Sequence, residues 1–534
     1  MNFQRRSCLA LLLCAPFMFA PQLSSAVVPA SSSTDVVVYG ATAAGAVTAL
    51  SAAREGMHVV LLEPGSHVGG MLTGGLSATD LGNRNVIGGY ALEFFQRAGK
   101  YYDLGQYDQI VAWKFEPHVG EKILRTMLQE AGVDVRFHER LREKNGVAKA
   151  GNRIVSITTE DGKEWKAKVF ADATYEGDLM AAAGVSFAWG RESTAQYGES
   201  LAGVRAETPN HQFKFKLSAY GPDGKLLPEI DPGPLAPAGS GDREVQSYNF
   251  RLILTQDPHN QVLFPKPLGY NPHRYQLLAN YIHGFQVQYG RVPRFKDLAR
   301  LVPIPNHKVD CNNNGPFSTD YIGKDWKYPN ASYAERKAIW QDHVNYTQGF
   351  FYFLVHDPQV PAQLRKEVGS WGLARDEFTY TNHWPSQLYV REARRMLGAH
   401  VMTQKDVQTD RSKPDVIGMG SYNIDSHNFQ RVAMPDGSVK NEGDTEIHVQ
   451  PYQIPYRILV PKKQQAVNLL VPVCVSASHI GYASLRLEPQ YMIMGQATGV
   501  AASLAVRENV AVQDVDIKEL QNRLVRGGAI LHLP

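Results

Sequence analysis

The chain is poor in cysteine. Its 534 residues hold only Cys8, Cys14, Cys311 and Cys474, with no C-x-x-C pair, which excludes a dithiol relay and a disulfide-built scaffold. Cys311 and Cys474 read as two free thiols, with one disulfide between them as the alternative in an oxidising compartment. The seventeen histidines are scattered singly, so no metal site is expected. An excess of one charge is missing too: 55 basic against 52 acidic residues leaves +3, which points neither to nucleic acid nor to a disordered chain. No short repeat is visible, and no apolar run reaches the ~20 residues of a membrane span. The remainder has ordinary globular composition, long enough for more than one domain at ~100–200 residues each.

The most informative segment is Thr34 to Met71. Asp35 to Tyr39 is short and β-branched and ends at Gly40, as a buried parallel strand feeding a tight turn does. The alanine-rich stretch Ala41 to Ala53 predicts a helix able to pack close to a sheet, its N-terminal amides facing a pyrophosphate. A second apolar strand, Met57 to Leu62, ends in Glu63, 23 residues beyond Gly40, near the ~20-residue offset of an acid that binds a ribose hydroxyl. The glycine pattern is incomplete: Gly40 and Gly45 take the outer positions of G-x-G-x-x-G, but Thr42 holds the middle one. Specificity comes from the context of strand, turn, helix, strand and acid in one βαβ unit. A plain crossover without cofactor is the alternative.

A second glycine-dense loop follows the acid, with Gly65, Gly69-Gly70-Met71 and Gly74-Gly75, where backbone is able to approach a long ligand. This segment resembles the FAD-binding N-terminus of two-domain flavoproteins related to glutathione reductase and fumarate reductase. More closely, the chain resembles a secreted or periplasmic family of FAD-dependent oxidoreductases, in GATAAG at 40–45, WGRE at 189–192, YVREARRM at 389–396 and GSYNIDSH at 420–427. The resemblance spans nearly the whole chain after its leader. It implies an α/β fold, a Rossmann-like FAD-binding domain in three layers (β/β/α) with an inserted α+β substrate domain. It also implies FAD contacts at Gly40, Ala43, Ala44, Gly45, Glu63, Gly69, Gly70 and Met71. In such flavoproteins a strand ending like Ala171-Asp172-Ala173-Thr174 returns beside the cofactor, which adds Asp172. A C-terminal small-residue helix, here Tyr491 to Ala502, points its N-terminus at the flavin, which adds Gly495 and Ala497.

The first 26 residues read as a cleaved signal peptide, with Arg5-Arg6, an apolar stretch from Cys8 to Ala20 and small residues at Ser24-Ser25-Ala26. Export to the periplasm or medium is expected. The paired arginines suit the twin-arginine route, Gln4 before them departs from its pattern, and general secretion stands beside it. The expected organisation is an FAD-binding first part at 34–190, a substrate domain at 191–445, a return to the FAD domain at 446–510 and a C-terminal extension at 511–534. Within it, Glu116 to Ala131 predicts a helix, Val133 to Leu141 a strand, and Arg153 to Thr159 with Glu164 to Ala171 a hairpin around Asp161-Gly162. Ser332 to Val355 and Ser386 to Met396 read as helices, and Val467 to Val475 as an apolar strand. Phe350-Phe351-Tyr352-Phe353 reads as core rather than as a substrate platform.

Flavin chemistry needs a proton donor or acceptor and groups that hold substrate. His479, in a Ser/Gly segment near the C-terminal helix, is the first candidate, against a purely structural histidine. Arg486 is the second, with an ion pair to Glu488 as its bland alternative, and Tyr175 the third. Arg391, Arg394 and Arg395 would share one helix face and form an anion site or a solvated face. The expected activity is hydride transfer between a small organic substrate and flavin N5, with oxygen, a quinone or a periplasmic electron carrier as acceptor and no nucleic acid or membrane-spanning partner. A nicotinamide partner is not expected, since no second complete βαβ fingerprint occurs. The alternative is a polysaccharide-processing lyase or hydrolase-like protein using the bound nucleotide cofactor without net redox, with acids such as Asp425 and Glu442.

Overall fold

The computed structural model describes residues 34–107, 110–205, 208 and 210–533; the segment expected to be a signal peptide, with Cys8 and Cys14, lies outside them. The apolar Val36–Tyr39 forms strand β1, and Ala43–Arg54 forms helix α1. Val59–Glu63 is β2, Gly89–Tyr101 is α2, Pro117–Glu130 is α3 and Asp134–Phe137 is β3. Then come the short antiparallel strands β4 (Val147–Ala150), β5 (Arg153–Thr158) and β6 (Glu164–Lys166), followed by β7 (Val169–Asp172). The main sheet is wholly parallel, with β7 on one side of β1 and β2 then β3 on the other.

Strand alternation sorts its residues into layers. Val36 and Val38 pack with the alanines of α1, whereas Val37 and Tyr39 pack with Leu141, Ile154 and Ile157 of the β4–β6 side. A helical layer, the parallel sheet and a second small sheet are the expected β/β/α sandwich.

The chain leaves this sheet after Asp172 and returns at β13 below. In between, Leu252–Thr255 (β8), Gln261–Val262 (β9), Ala299–Ile304 (β10), Lys308–Asn313 (β11) and Gly372–Ala374 (β12) make an antiparallel sheet in the order β9-β12-β8-β11-β10. Helix α4 (Tyr333–His356) starts at a capping box, Ser332 with Glu335. Phe350, Phe351 and Phe353 on it are fully buried, so this cluster is core. After β13 (Leu469–Leu470) come α5 (His479–Leu485) and α6 (Glu488–Glu508). No described helix is long and apolar enough to cross a membrane.

Helix α6 lies against α1 at glycines. A Cβ on Gly495 would stand 2.6 Å from the Ala44 carbonyl oxygen, and one on Gly499 2.5 Å from that of Thr48. Ser51 Oγ donates across the crossing to the Gln496 carbonyl (2.9 Å). The small residues at both ends of the chain thus build one close helix pair. Gly499→Val would push backbone against backbone, and a loss of ~3 kcal/mol in denaturant unfolding is expected.

Four expectations are corrected. Residues 386–394 form no helix, and only Arg395–Met396 are regular, paired with Phe187–Ala188. Extended backbone sends the arginines to separate carboxylates: Arg391 to Asp320, Arg394 to Asp178 and Arg395 to Glu192. The apolar run 467–475 is buried, yet only Leu469–Leu470 pair in the sheet; Val471 and Ser476 donate instead to the carbonyls of Leu459 and Ile458. The hairpin partner of β5 stops at Lys166, and Val169 onward switches to the parallel sheet beside β1. The strand expected to reach Leu141 ends at Phe137, because His138 adopts a left-handed φ of 61°.

Candidate functional site: a nucleotide cradle beside a polar cavity

At the end of β1 the chain turns through Gly40, whose φ of 96° only glycine adopts readily. Thr42, the residue that breaks the glycine pattern, is the N-cap of α1: its Oγ1 accepts from Gly45 N–H (3.1 Å) and donates to the Ala173 carbonyl (2.7 Å). Gly45 is required by contact, since a Cβ there would lie 1.8 Å from the Gly40 oxygen. The amides of Ala43 and Ala44 occupy the first turn of α1, where backbone N–H groups have no intrahelical partner and the dipole favours an anion. Glu63, at the tip of β2, accepts from the Ala41 and Gly65 amides, both at 2.7 Å. Burial raises its pKa, against those two bonds, and each carboxylate oxygen keeps a lone pair for a hydroxyl.

The second glycine loop is tied into the same corner. Gly69 N–H donates to the Ala41 carbonyl (2.7 Å), and Met71 N–H donates to Tyr175 Oη (2.8 Å). The Tyr175 hydroxyl donates in turn to Glu488 Oε1 (2.8 Å) at the start of α6. Tyr175 therefore joins the loop, the β7 turn and the C-terminal helix. Glu488 is fully buried, its Oε2 has no hydrogen-bond partner among the described residues, and burial pushes its pKa up to about 8. An acid raised in the folded state holds its proton where the unfolded chain has lost it, so its contribution to stability declines from about pH 4.5 to about pH 8. Glu488→Gln removes that decline. Its unfolding free energy, read by denaturant titration, should gain on the parent's as pH rises from 5 to 8, by about 1.4 kcal/mol per pH unit at most.

Asp172 is turned inward: it accepts from Thr174 N–H and Oγ1 and from Met180 N–H (3.1, 2.7 and 2.7 Å). It thus staples its own turn, and burial lifts its pKa to about 6. Gly495 faces Ala44, one layer behind the first turn of α1, and Ala497 is buried in α6.

The loop continues into the rest of the molecule. Ala78 N–H donates to Asp310, which is held by Arg251 through bonds of 2.8 and 2.7 Å. Beyond lies a cavity of about 470 Å³ whose walls include Asp80, His211, Asn313, Tyr422, Asp425 and His427. His427 Nδ1 is 2.8 Å from Asp320 Oδ2, and Arg391 holds the other Asp320 oxygen at 2.9 Å. Burial raises Asp320, but Arg391 and His427 outweigh it and leave the carboxylate ionised well below its usual range. As an acceptor-only group it fixes the His427 proton on Nδ1. Nε2 is left facing Asp425 Oδ2 at 3.9 Å. Burial, with the Arg391 charge, pushes His427 down to about 4 against the pull of Asp320, so the imidazole is neutral near pH 7. His211 stacks on it at 5.9 Å and is paired with Asp444 (2.8 Å).

Arg486 does not pair with Glu488. It donates to the Asp425 carbonyl and to Asp425 Oδ2 (2.9 and 2.8 Å), which links the cavity to the N-terminal end of α6. His479 lies at the first turn of α5 rather than in a loop, 3% exposed, with Nδ1 on Glu392 (2.9 Å). It is not among the residues lining the cavity. Asp425 and Glu442 do not face each other as a pair: Glu442 is fully buried on Arg191 (2.8 Å). Cys311 and Cys474 are free and buried. One grouping escaped single-residue spacing: ligand atoms of Glu116, His118 and Glu377 lie within 4.8 Å of one another. The Lys308 ammonium already serves both carboxylates, at 2.6 and 2.7 Å.

The profile of the FAD dependent oxidoreductase family matches residues 35–524. The chain belongs to that family. Its cofactor is FAD, and it is an FAD-dependent oxidoreductase. No curated protein sequence matches it. Solved structures similar to parts of it include thioredoxin reductase of Lactococcus lactis (20% identity, 26% of this chain and 35% of that one, TM-score 0.19). Others are p-nitrophenol 4-monooxygenase of Pseudomonas putida DLL-E4 (18%, 30% and 45%, 0.22) and a myxobacterial chondrochloren halogenase (18%, 30% and 41%, 0.23). The chain spans less than half the length of each, and the family match alone carries the assignment.

The donor set fits FAD: first-turn amides of α1 for the pyrophosphate, Glu63 for a ribose, and a glycine loop along which backbone approaches. The polar cavity, with His427 on its wall and the Asp320–Arg391 pair that holds His427, is what sequence reasoning missed. The phrase ending in His427 stood out only as part of the resemblance, and nothing in its local spacing marks a base held by Asp320, 107 residues away.

Proposed function

We propose that this chain is an exported FAD-dependent oxidoreductase that passes hydride from a small organic substrate to flavin N5 while His427 accepts the substrate's proton. The neutral His427 ring on the cavity wall, oriented by Asp320 at Nδ1, carries this reading. A base needs a lone pair within reach of the proton and a fixed tautomer, and His427 has both. Bound FAD supplies the two-electron acceptor. Ala43, Ala44 and Glu63 hold its phosphates and ribose, and Tyr175 and Glu488 fix the glycine loop against α6. Arg486 positions Asp425 beside His427 Nε2, whereas Asp320 holds Nδ1. The 191–445 segment, which supplies most of the cavity wall, acts as the substrate domain. His479 serves structure, since it is buried and does not line the cavity. Oxygen, a quinone or a periplasmic electron carrier reoxidises the flavin. The leader's composition supports export; mature protein beginning at Val27, found by mass spectrometry of the periplasmic or secreted fraction, is the expected result.

The deciding experiment is an anaerobic absorbance spectrum of the purified holoprotein with pools of sugars, amines and organic acids. Bleaching near 450 nm (about the flavin maximum) with one pool is expected. Flavin that stays oxidised with every pool while a sugar polymer is cleaved would shift the assignment to non-redox chemistry.

A further inference from the structure

The cavity behind His427 has a lining that selects among substrate classes. Acids outnumber bases, with Asp80, Asp297, Asp425 and Glu446 against Arg300 and Lys214, which gives no basic focus for a phosphate or a polycarboxylate; Asp297 is already paired with Arg291. Amides are unusually dense, with Asn210, Gln212, Asn312, Asn313 and Asn314 on the walls. An amide presents donors and an acceptor side by side, matching vicinal hydroxyls, each of which also donates and accepts. Gln212 and Asn314 are anchored within the wall, on Asn441 and Lys296; for the capacity that remains, an ammonium only donates and offers nothing to an amide N–H, and a hydrocarbon offers neither donor nor acceptor. The remaining wall is aromatic. Tyr281 and Phe285 are buried there, and Tyr289 is 46% exposed, offering an apolar ring to the C–H face of a sugar. Three of the amides are consecutive residues at and just beyond the end of β11, which pairs with both β10 and β8, so a rigid sheet holds them.

We infer that the cavity takes a polyhydroxylated substrate, a sugar or polyol, and presents one hydroxyl to His427. This rests on the hydride-transfer reading above. In the reaction the hydroxyl proton passes to His427 Nε2, the carbinol C–H leaves as hydride to the oxidised flavin, and a C=O bond forms, two electrons in all. About 470 Å³ lies within the ~300–1,000 Å³ range of small-molecule sites.

The test is calorimetric titration of the FAD-loaded protein with neutral monosaccharides, disaccharides and alditols, and with primary amines and 2-hydroxy acids as counter-probes. Tyr289→Ala and Asn312→Ala are titrated beside the parent, and absorbance is followed anaerobically in the same samples. Saturable binding of at least one sugar or alditol is expected, weakened about tenfold by each substitution with the flavin spectrum and melting temperature unchanged. Binding of an amine or hydroxy acid and of no polyol overturns the inference, as does sugar binding indifferent to both substitutions. Sugar binding that responds to the substitutions but never bleaches the flavin would uphold the ligand class and overturn hydride transfer.

Discussion

Replacing His427 by asparagine is expected to leave FAD bound and the fold intact while slowing substrate reduction of the flavin on the order of a thousandfold, within the usual 10²–10⁴ for a positioned base. Asparagine preserves a polar side chain beside Asp320 but has no basic nitrogen. Rapid-mixing absorbance under anaerobic conditions reads this directly, because reduction is separated from reoxidation. The parent's pH profile adds a second signature. With His427 held down to about 4 by burial, the base is available above that pH and lost as it protonates below. The parent rate should therefore be level from about pH 6 to 8 and fall as pH drops through 4, and the variant should lack that limb. An H427N rate within threefold of the parent would remove His427 from the chemistry. Arg486→Lys should act more mildly: it keeps the charge but loses the two-point hold on Asp425, raising KM more than it lowers kcat.

The second large effect falls on the cofactor. Glu63→Ala removes the side chain that accepts from the Ala41 and Gly65 amides, and with it the proposed acceptor for ribose hydroxyls. Each charge-assisted hydrogen bond contributes about 1.5–3 kcal/mol, so FAD affinity should fall at least a hundredfold. Fluorescence titration of the deflavinated protein measures this, with circular dichroism to confirm the fold. Glu63→Gln retains one acceptor and should lose less. Equal affinity in parent and E63A would place the ribose elsewhere.

The two predictions differ in how far sequence reasoning reached. Glu63, Gly40 and Gly45 stand out from spacing alone because one βαβ unit puts consecutive residues around the ligand. Even the irregular Thr42 has a local reason, as the cap of α1. The failures share a cause. The arginines at 391–395 were expected on one helix face, yet each is taken by a carboxylate far away in sequence, and these buried ion pairs outweigh weak helical preference. The run 467–475 is apolar because it is surrounded by core, not because it forms a long strand.

By itself the sequence determined the βαβ start of the parallel sheet and the small-residue character of the helices at both ends of the chain. Each follows from side-chain period or from glycine placement within a few tens of residues. Tertiary structure alone decided that those two helices pair and which side chains meet around the polar cavity. Asp320 and His427 meet across 107 residues, Arg486 and Asp425 across 61, and Tyr175 and Glu488 across 313. Contacts of that range leave no periodic trace in the chain, since desolvation and charge pairing in the folded interior choose the partners.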